Sequence, residues 1–404
     1  MNKLTFFLLI ALAFQFTSCE KNVEIDGIFV DFTKIETVKK QIQKGDPKYL
    51  PTFETLLKKA EVALIEGPFS VTDKKRTPPG GDKHDYLSMG PYWWPDSTKP
   101  DGLPYIRRDG EVNPETHGEY VDTDSKNKLF NNVETLGWAF FFSGERKYAE
   151  KALQLLETWF ITPETKMNPN LNFAQGIPGI CDGRGIGIID WAGINKIIST
   201  IQILDSRGFL PDETKTSLFQ WFEEYHNWLT THDYGKFEDD YFNNHGTWYD
   251  VQVTGIELML GKTESAKTRL ETAKKKRIAA QIEPDGSQPH ELARTKSLGY
   301  STMNLRGFMH LANLGKKTGV DLWNFETVDG RGIPNALDFL LPFATGEKSW
   351  EYKQLGNLED ATENLKINYL MAAEATGEKK YASVANLVQS PEKNLETLIY
   401  PFPG

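Results

Sequence analysis

The amino-acid sequence predicts an all-α fold, a single-domain (α/α) toroid of antiparallel helical hairpins, and three observations carry that expectation. Ten stretches place apolar residues at three- and four-residue spacing: 51–66, 127–142, 147–160, 186–204, 212–230, 247–260, 264–281, 301–317, 333–344 and 361–375. Helix punctuation recurs between them, and no stretch sustains the apolar–polar alternation of a half-buried strand. Helices repeating at this rate through one chain pair naturally as hairpins around a shared core.

Each element has a local reason. Leu153, Leu156, Trp159 and Phe160 form one apolar stripe, and Pro211-Asp212-Glu213 opens the helix that follows it. Gly144, Gly208 and Gly261 stand where helices should stop, because glycine adopts a left-handed terminal conformation with least strain. No flexible Gly/Ser linker divides the chain, so residues 28–404 are expected to form one domain.

Residues 1–18 read as an export signal: Lys3, an apolar run from Leu4 to Phe16, then Thr17-Ser18 before Cys19. The run is too short for a comfortable membrane span. Small residues directly before a cysteine resemble a bacterial lipoprotein cleavage site. Cys19 is thus expected to carry lipid, 19–27 to be a tether, and the protein to sit in the periplasm or on the outer-membrane surface of a Gram-negative bacterium. Cys181 is then left without an intrachain partner, and no Cys/His spacing suggests a metal site. No cofactor is called for.

The formal net charge of −10 argues against nucleic acid, which needs a basic footprint. It leaves an acidic glycan open, since a few local cations suffice to make a basic cleft. Aromatic residues reach 12%, several beside Gly, Pro and Asn, where flat rings suit sugar faces; burial in a large core is the plainer explanation.

Four long loops, 76–118, 161–186, 232–247 and 282–300, are where chemistry is sought. Asn243-Asn244-His245 immediately precedes a helix, and exposed N–H groups at a helix start plus an amide donor can receive a carboxylate. Asn244 suits the neutraliser of a uronate carboxylate and His245 a base, with helix capping as the plain alternative. Arg294 and Tyr300 lie six apart: the guanidinium can hold a carboxylate, and the phenol can pass a proton to a departing oxygen or, beside a cation, act as a base. The run from Lys83 through His84, Tyr86, Tyr92, Trp93 and Trp94 reads as a sugar platform or as a packed plug. Gln175 and Arg184 occupy a glycine-rich loop without the spacing of a dinucleotide fingerprint.

Four ordered blocks, KHDYLSMGPYWWPD (83–96), GIPGICDGRGIGIID (176–190), NNHGTWYDVQ (243–252) and DGSQPHELARTKSLGY (285–300), together resemble the alginate lyase family of helical-toroid polysaccharide lyases. The resemblance spans about 83 to 310 and is closer to a Bacteroidetes-type branch. It implies β-elimination of a polyuronate with Asn244, His245, Arg294 and Tyr300 as the catalytic group. The products would carry a C4–C5 double bond. Lys83, His84, Tyr86, Tyr92, Trp93, Trp94, Gln175, Arg184, Asn243 and Trp248 are then expected along the substrate path. Whether His245 or Tyr300 is the base stays open, as does glucuronan as substrate. Two rival expectations are an (α/α)-barrel hydrolase using Asp85 and Glu291, and a non-catalytic glycan-binding lipoprotein.

Overall fold

A computed structural model describes residues 25–389 and 394–402. The export signal and Cys19 lie outside the described residues. The helices are α1 (Phe32–Gln43), α2 (Leu50–Ile65), α3 (Thr123–Ser143), α4 (Arg146–Phe160), α5 (Ile194–Ser206), α6 (Asp212–Thr231), α7 (Asp233–Asp239) and α8 (Asn244–Met259). They continue as α9 (Thr263–Ala273), α10 (Pro289–Leu292), α11 (Ser297–Thr318), α12 (Ile333–Thr345), α13 (Leu358–Thr376), α14 (Lys379–Ala385) and α15 (Glu396–Ile399).

All ten stretches with helical spacing are helical in whole or in large part. The 186–204 stretch divides into a 3-10 segment, Gly185–Trp191, and α5; the 264–281 stretch continues from α9 into a π-helical turn, Lys274–Ala279. The ten stretches leave out α1, although Phe32, Ile35, Val38 and Ile42 give it a stripe at three- and four-residue spacing, and the short α7, α10, α14 and α15, which are too brief to show one.

An inner row runs α3, α5, α8, α11, α13, each touching the next. An outer row, α4, α6, α9 and α12, packs across neighbouring inner helices, and α15 bridges α13 to α2, which returns to α3. This is the toroid. Inner helices are covered on both sides, so they lose the one-sided stripe of a surface helix. In α8 only His245 and Leu258 escape burial. The core takes most of the aromatic residues: Trp138, Trp159 and Trp191 are fully buried, and Trp191 stacks on Trp221 with ring centroids 5.6 Å apart. The composition therefore reports packing more than sugar binding.

Four short strands clamp the long loops. In β1 (Leu87–Met89) and β4 (Phe173–Gly176) the 76–118 and 161–186 loops meet in parallel, with Leu87 opposite Phe173. The antiparallel β2 (Trp93–Trp94) and β3 (Ile106–Arg107) fold the first loop on itself. At that loop's base Lys74 Nζ and Asp122 form a buried ion pair of 3.1 Å. No helix among the described residues is long and apolar enough to cross a membrane.

The entry to α8 is held by Arg277, buried on the π-helical turn. Its Nε donates to Asp250 at 2.7 Å, and its terminal nitrogens donate to the backbone carbonyls of Asp239 at 2.6 Å and Tyr241 at 3.0 Å. Arg277→Met is expected to lower stability by about 3 kcal/mol, the lower end for a broken buried pair because Arg269 still neutralises Asp250. Denaturant unfolding measures it; an unchanged midpoint would contradict this account.

Candidate active site

The 282–300 loop and the start of α8 are joined by one contact. Asn244, first residue of α8, donates its backbone N–H to Glu291 at 2.7 Å, and its Nδ2 lies 2.9 and 2.8 Å from the two carboxylate oxygens. Both residues are buried. Burial pushes the Glu291 carboxyl above its ordinary value, against the opposing pull of Asn244's donors. The carboxylate stands three residues before Arg294 and within electrostatic reach of both Arg294 and His245.

Arg294 and Tyr300 meet as the six-residue spacing suggests. Arg294 Nη2 donates to the Tyr300 hydroxyl at 2.9 Å, and its guanidinium carbon lies 3.9 Å from the ring centroid. The same arginine is gripped by Asp109, with Nη2 at 2.8 Å and Nε at 3.3 Å. Thr295 adds its backbone N–H and hydroxyl to Asp109 at 3.2 and 2.9 Å. Burial raises the Asp109 carboxyl, but Arg294 and Thr295 more than offset it, so the group sits well below the usual carboxylate range. Burial lowers Arg294, and Asp109 and Tyr300 outweigh that, keeping it firmly charged.

Tyr300 also hydrogen-bonds Tyr92, with 2.6 Å between the hydroxyl oxygens. Burial first, and then the neighbouring Tyr92, push the Tyr300 hydroxyl far above its ordinary value; Arg294 opposes only in part. The sequence expectation that a nearby cation makes its phenolate accessible therefore meets a counterweight in burial and in Tyr92. As placed, Tyr300 holds its proton.

His245 caps nothing. Its ring Nδ1 lies 2.7 Å from Glu238 Oε1, while Asn243 serves as the α8 N-cap by accepting the His245 backbone N–H at 3.1 Å. Tyr241 lies against the imidazole with ring centroids 5.3 Å apart.

The expected substrate residues divide. Tyr92 joins the Arg294–Tyr300 pair, and Trp93 faces Arg184 at 5.9 Å from ring centroid to guanidinium carbon. Arg184 donates to the Gln175 backbone carbonyl and side chain at 3.0 and 2.9 Å. Gln175 holds a positive φ of 50°, rare for a residue with a Cβ and sustained only where neighbours over-determine it. Trp94 donates its indole N–H to Glu111 and lies under Arg108. Trp248 borders an open cavity of about 730 Å³ among the inner helices, along with Lys296, Gly299, Met303 and Arg306. Gly299 directly precedes Tyr300, and Lys296 Nζ lies 5.8 Å from the Tyr92 ring centroid, so the cavity adjoins the cluster.

Four expectations are corrected. Tyr86 is wholly buried and donates to Asp190 at 3.2 Å, leaving no face for sugar. Asn243 is occupied as a helix cap. Lys83 donates to the Lys74 carbonyl, and the His84 ring bonds the Lys166 carbonyl at 2.6 Å, so both fasten loops together. The hydrolase pair also fails: Asp85 is buried and takes amide donors from Asn168 and Asn170, as Glu291 does from Asn244. Neither carboxyl is free to flank a glycosidic bond. Periodicity and spacing miss Asp109 and Glu238, because each acts across a fold contact rather than along a helix.

No curated protein matches the chain. The alginate lyase family model matches residues 70–350. Among solved structures, an alginate lyase from Bacteroides ovatus superposes with TM-score 0.89 at 37% identity, covering 94% of this chain and 100% of that one. Alginate lyase A1-III from Sphingomonas species A1 shares the fold with TM-score 0.55 at 15% identity, covering 95% and 98%. A variant of A1-III complexed with a tetrasaccharide gives TM-score 0.57 at 16% identity, covering 93% and 95%. By the extent of the family match and the 37% identity, this chain is a polysaccharide lyase belonging to the alginate lyase family.

Proposed function

We propose that the protein cleaves alginate by β-elimination at the cluster formed by Asn244, His245, Arg294 and Tyr300. One observation carries the reading: Arg294 is bonded to Tyr300 at the start of α11, and Glu291 of α10, three residues before Arg294, is bonded to Asn244, beside His245. An amide, an imidazole, a guanidinium and a phenol are thereby drawn together from the start of α8 and the α10–α11 segment.

A uronate C5 proton becomes removable only when the carboxylate beside it can accept charge as an enolate. Arg294 suits that role, because its Nη1 makes no hydrogen bond among the described residues and a guanidinium is the better donor to a carboxylate. Asn244, with its NH2 turned to Glu291, fixes the geometry and offers the sugar only what that bond leaves free. His245 takes the C5 proton on Nε2. The C5–H electron pair becomes the C4–C5 double bond, the C4–O4 bond breaks, and Tyr300 protonates O4. Tyr92 stands next in line to return the proton to the phenolate. The adjoining cavity accommodates neighbouring sugar units, and Arg184 with Trp93 offers a charge and a ring for another uronate.

Incubation with polymannuronate or polyguluronate is expected to produce the ultraviolet band of an unsaturated uronate; no new absorbance with either polymer, or with glucuronan, would end this reading. Tyr300→Phe should lower kcat by about 10²–10⁴-fold with little change in KM, as loss of a positioned proton donor does. Asp109→Asn leaves the reacting groups in place but loosens Arg294. A charged hydrogen bond of about 1.5–3 kcal/mol translates to roughly a 10–100-fold fall in kcat/KM. Steady-state kinetics on one polymer measures both, and wild-type rates for Asp109→Asn would remove Asp109 from the account.

Export and lipidation at Cys19 belong to the same proposal, supported by the apolar run from Leu4 to Phe16 and the small residues before the cysteine. Labelled fatty acid should enter the wild-type chain in a Gram-negative host and be absent from Cys19→Ala; equal labelling of both would refute the anchor.

A further inference from the structure

We infer that Glu238 is a positioning residue for the elimination: it fixes the His245 tautomer and aims its Nε2 into the cleft. The inference rests on the reading of His245 as the base.

Glu238 sits near the end of α7, with its side chain 0% exposed against 14% for His245. Its Oε1 lies 2.7 Å from His245 Nδ1, and Oε2 is buried with no hydrogen-bond partner among the described residues. Asp122 and Glu257 also leave one buried oxygen unpaired, but each takes two partners on the other, Lys74 with the Leu87 N–H and His226 with Ser265, whereas Glu238 takes one. Asp190, by contrast, takes donors from Tyr86, Ser88 and Gln175, and Glu291 receives three contacts from Asn244. Carboxylates kept for architecture are normally saturated in this way, because desolvation is unfavourable without several donors. Glu238 instead serves one imidazole.

The chemistry that follows is specific. A carboxylate oxygen accepts, so Nδ1 must carry the hydrogen and Nε2 must hold the lone pair. When Nε2 takes the C5 proton, the imidazolium forms beside a negative charge already in place and needing no rearrangement. The other groups facing the ring are Tyr241, by ring contact, and Glu291 of α10, at longer electrostatic range. Neither hydrogen-bonds the imidazole, so tautomer choice falls to Glu238. The α7–α8 turn makes this possible: Arg277 clasps the Asp239 and Tyr241 carbonyls, fixing the backbone between carboxylate and imidazole.

Kinetics and a spectroscopic signature together test the role. In the wild-type protein, ring-nitrogen NMR shifts of His245 should report the Nδ1–H tautomer; the Nε2–H tautomer would overturn the inference without any variant. Glu238→Gln should lower kcat roughly 10–100-fold, the range for loss of a residue that orients a reacting histidine's partner nitrogen, with KM within about twofold. Glu238→Asp, which keeps the charge, should recover part of the loss. On a His245→Ala background, Glu238→Gln should cost little more, because the two act as a unit. Wild-type kcat in a folded Glu238→Gln, or equal further loss on the His245→Ala background, would sink the role of Glu238 while leaving the lyase reading intact. If the wild-type chain makes no unsaturated product, the lyase reading fails instead, and the NMR result still decides the tautomer.

Discussion

The contact between Asn244 and Glu291 is what makes one site out of two loops. Forty-seven residues separate them, and the intervening chain runs out along α8 and back along α9 and the π-helical turn that continues it. A buried carboxylate cannot be left without donors, so the start of α8 has to present its first N–H and its first side chain to the 282–300 loop. Once that is done, His245, the next residue, and Arg294, three after the carboxylate, have little freedom in where they stand. The amide is therefore more an architectural group than the sequence suggests. The duty of meeting a substrate carboxylate shifts toward the guanidinium.

A second constraint comes from the opposite wall. The 76–118 loop brings Asp109 to Arg294 and Tyr92 to Tyr300, so the same long loop orients two members of the cluster. Its own fold is secured by the β1–β4 pairing and by the buried Lys74–Asp122 ion pair at its base. A loop that must place two side chains to a fraction of an ångström needs such anchors, since orientation is where much of catalysis resides. Three residues that looked like sugar ligands, Lys83, His84 and Tyr86, add further ties, to the Lys74 and Lys166 carbonyls and to Asp190.

That exchange shows what a sequence discloses. The helices were legible because an apolar stripe at helical spacing is a local property, and all ten stretches proved helical in whole or large part. Arg294 with Tyr300 was legible for the same reason, both side chains belonging to one short segment. Asp109 and Glu238 were not. Nothing in the surroundings of Asp109 marks it as the partner of an arginine 185 residues away, and Glu238 lies in a segment read as loop whose helix is only seven residues long. Polar partnerships across a fold carry no period, so only the folded chain reveals them. Aromatic content followed its plainer explanation, because a toroid with inner helices covered on both sides needs large rings for packing before any remain for ligands.

The electrostatics of the site resolve an apparent contradiction, an acidic protein acting on an acidic polymer. The net charge of −10 is a property of the whole chain. Within the cleft, two carboxylates are buried behind the groups they serve, Glu291 behind Asn244 and Glu238 behind His245, while the part-exposed Asp109 is paired with both Arg294 and Arg107. A polyuronate at this site meets a guanidinium, an imidazole and two phenols, with each nearby carboxylate either buried or paired. Those surroundings also bear on the proposed chemistry. On the proposed reading, a phenol held in burial beside Tyr92 keeps its proton and is suited to give it, whereas an imidazole backed by a buried glutamate is suited to take one. The proposed acid and base are thus distinguished by their surroundings, and not by the intrinsic character of tyrosine and histidine alone.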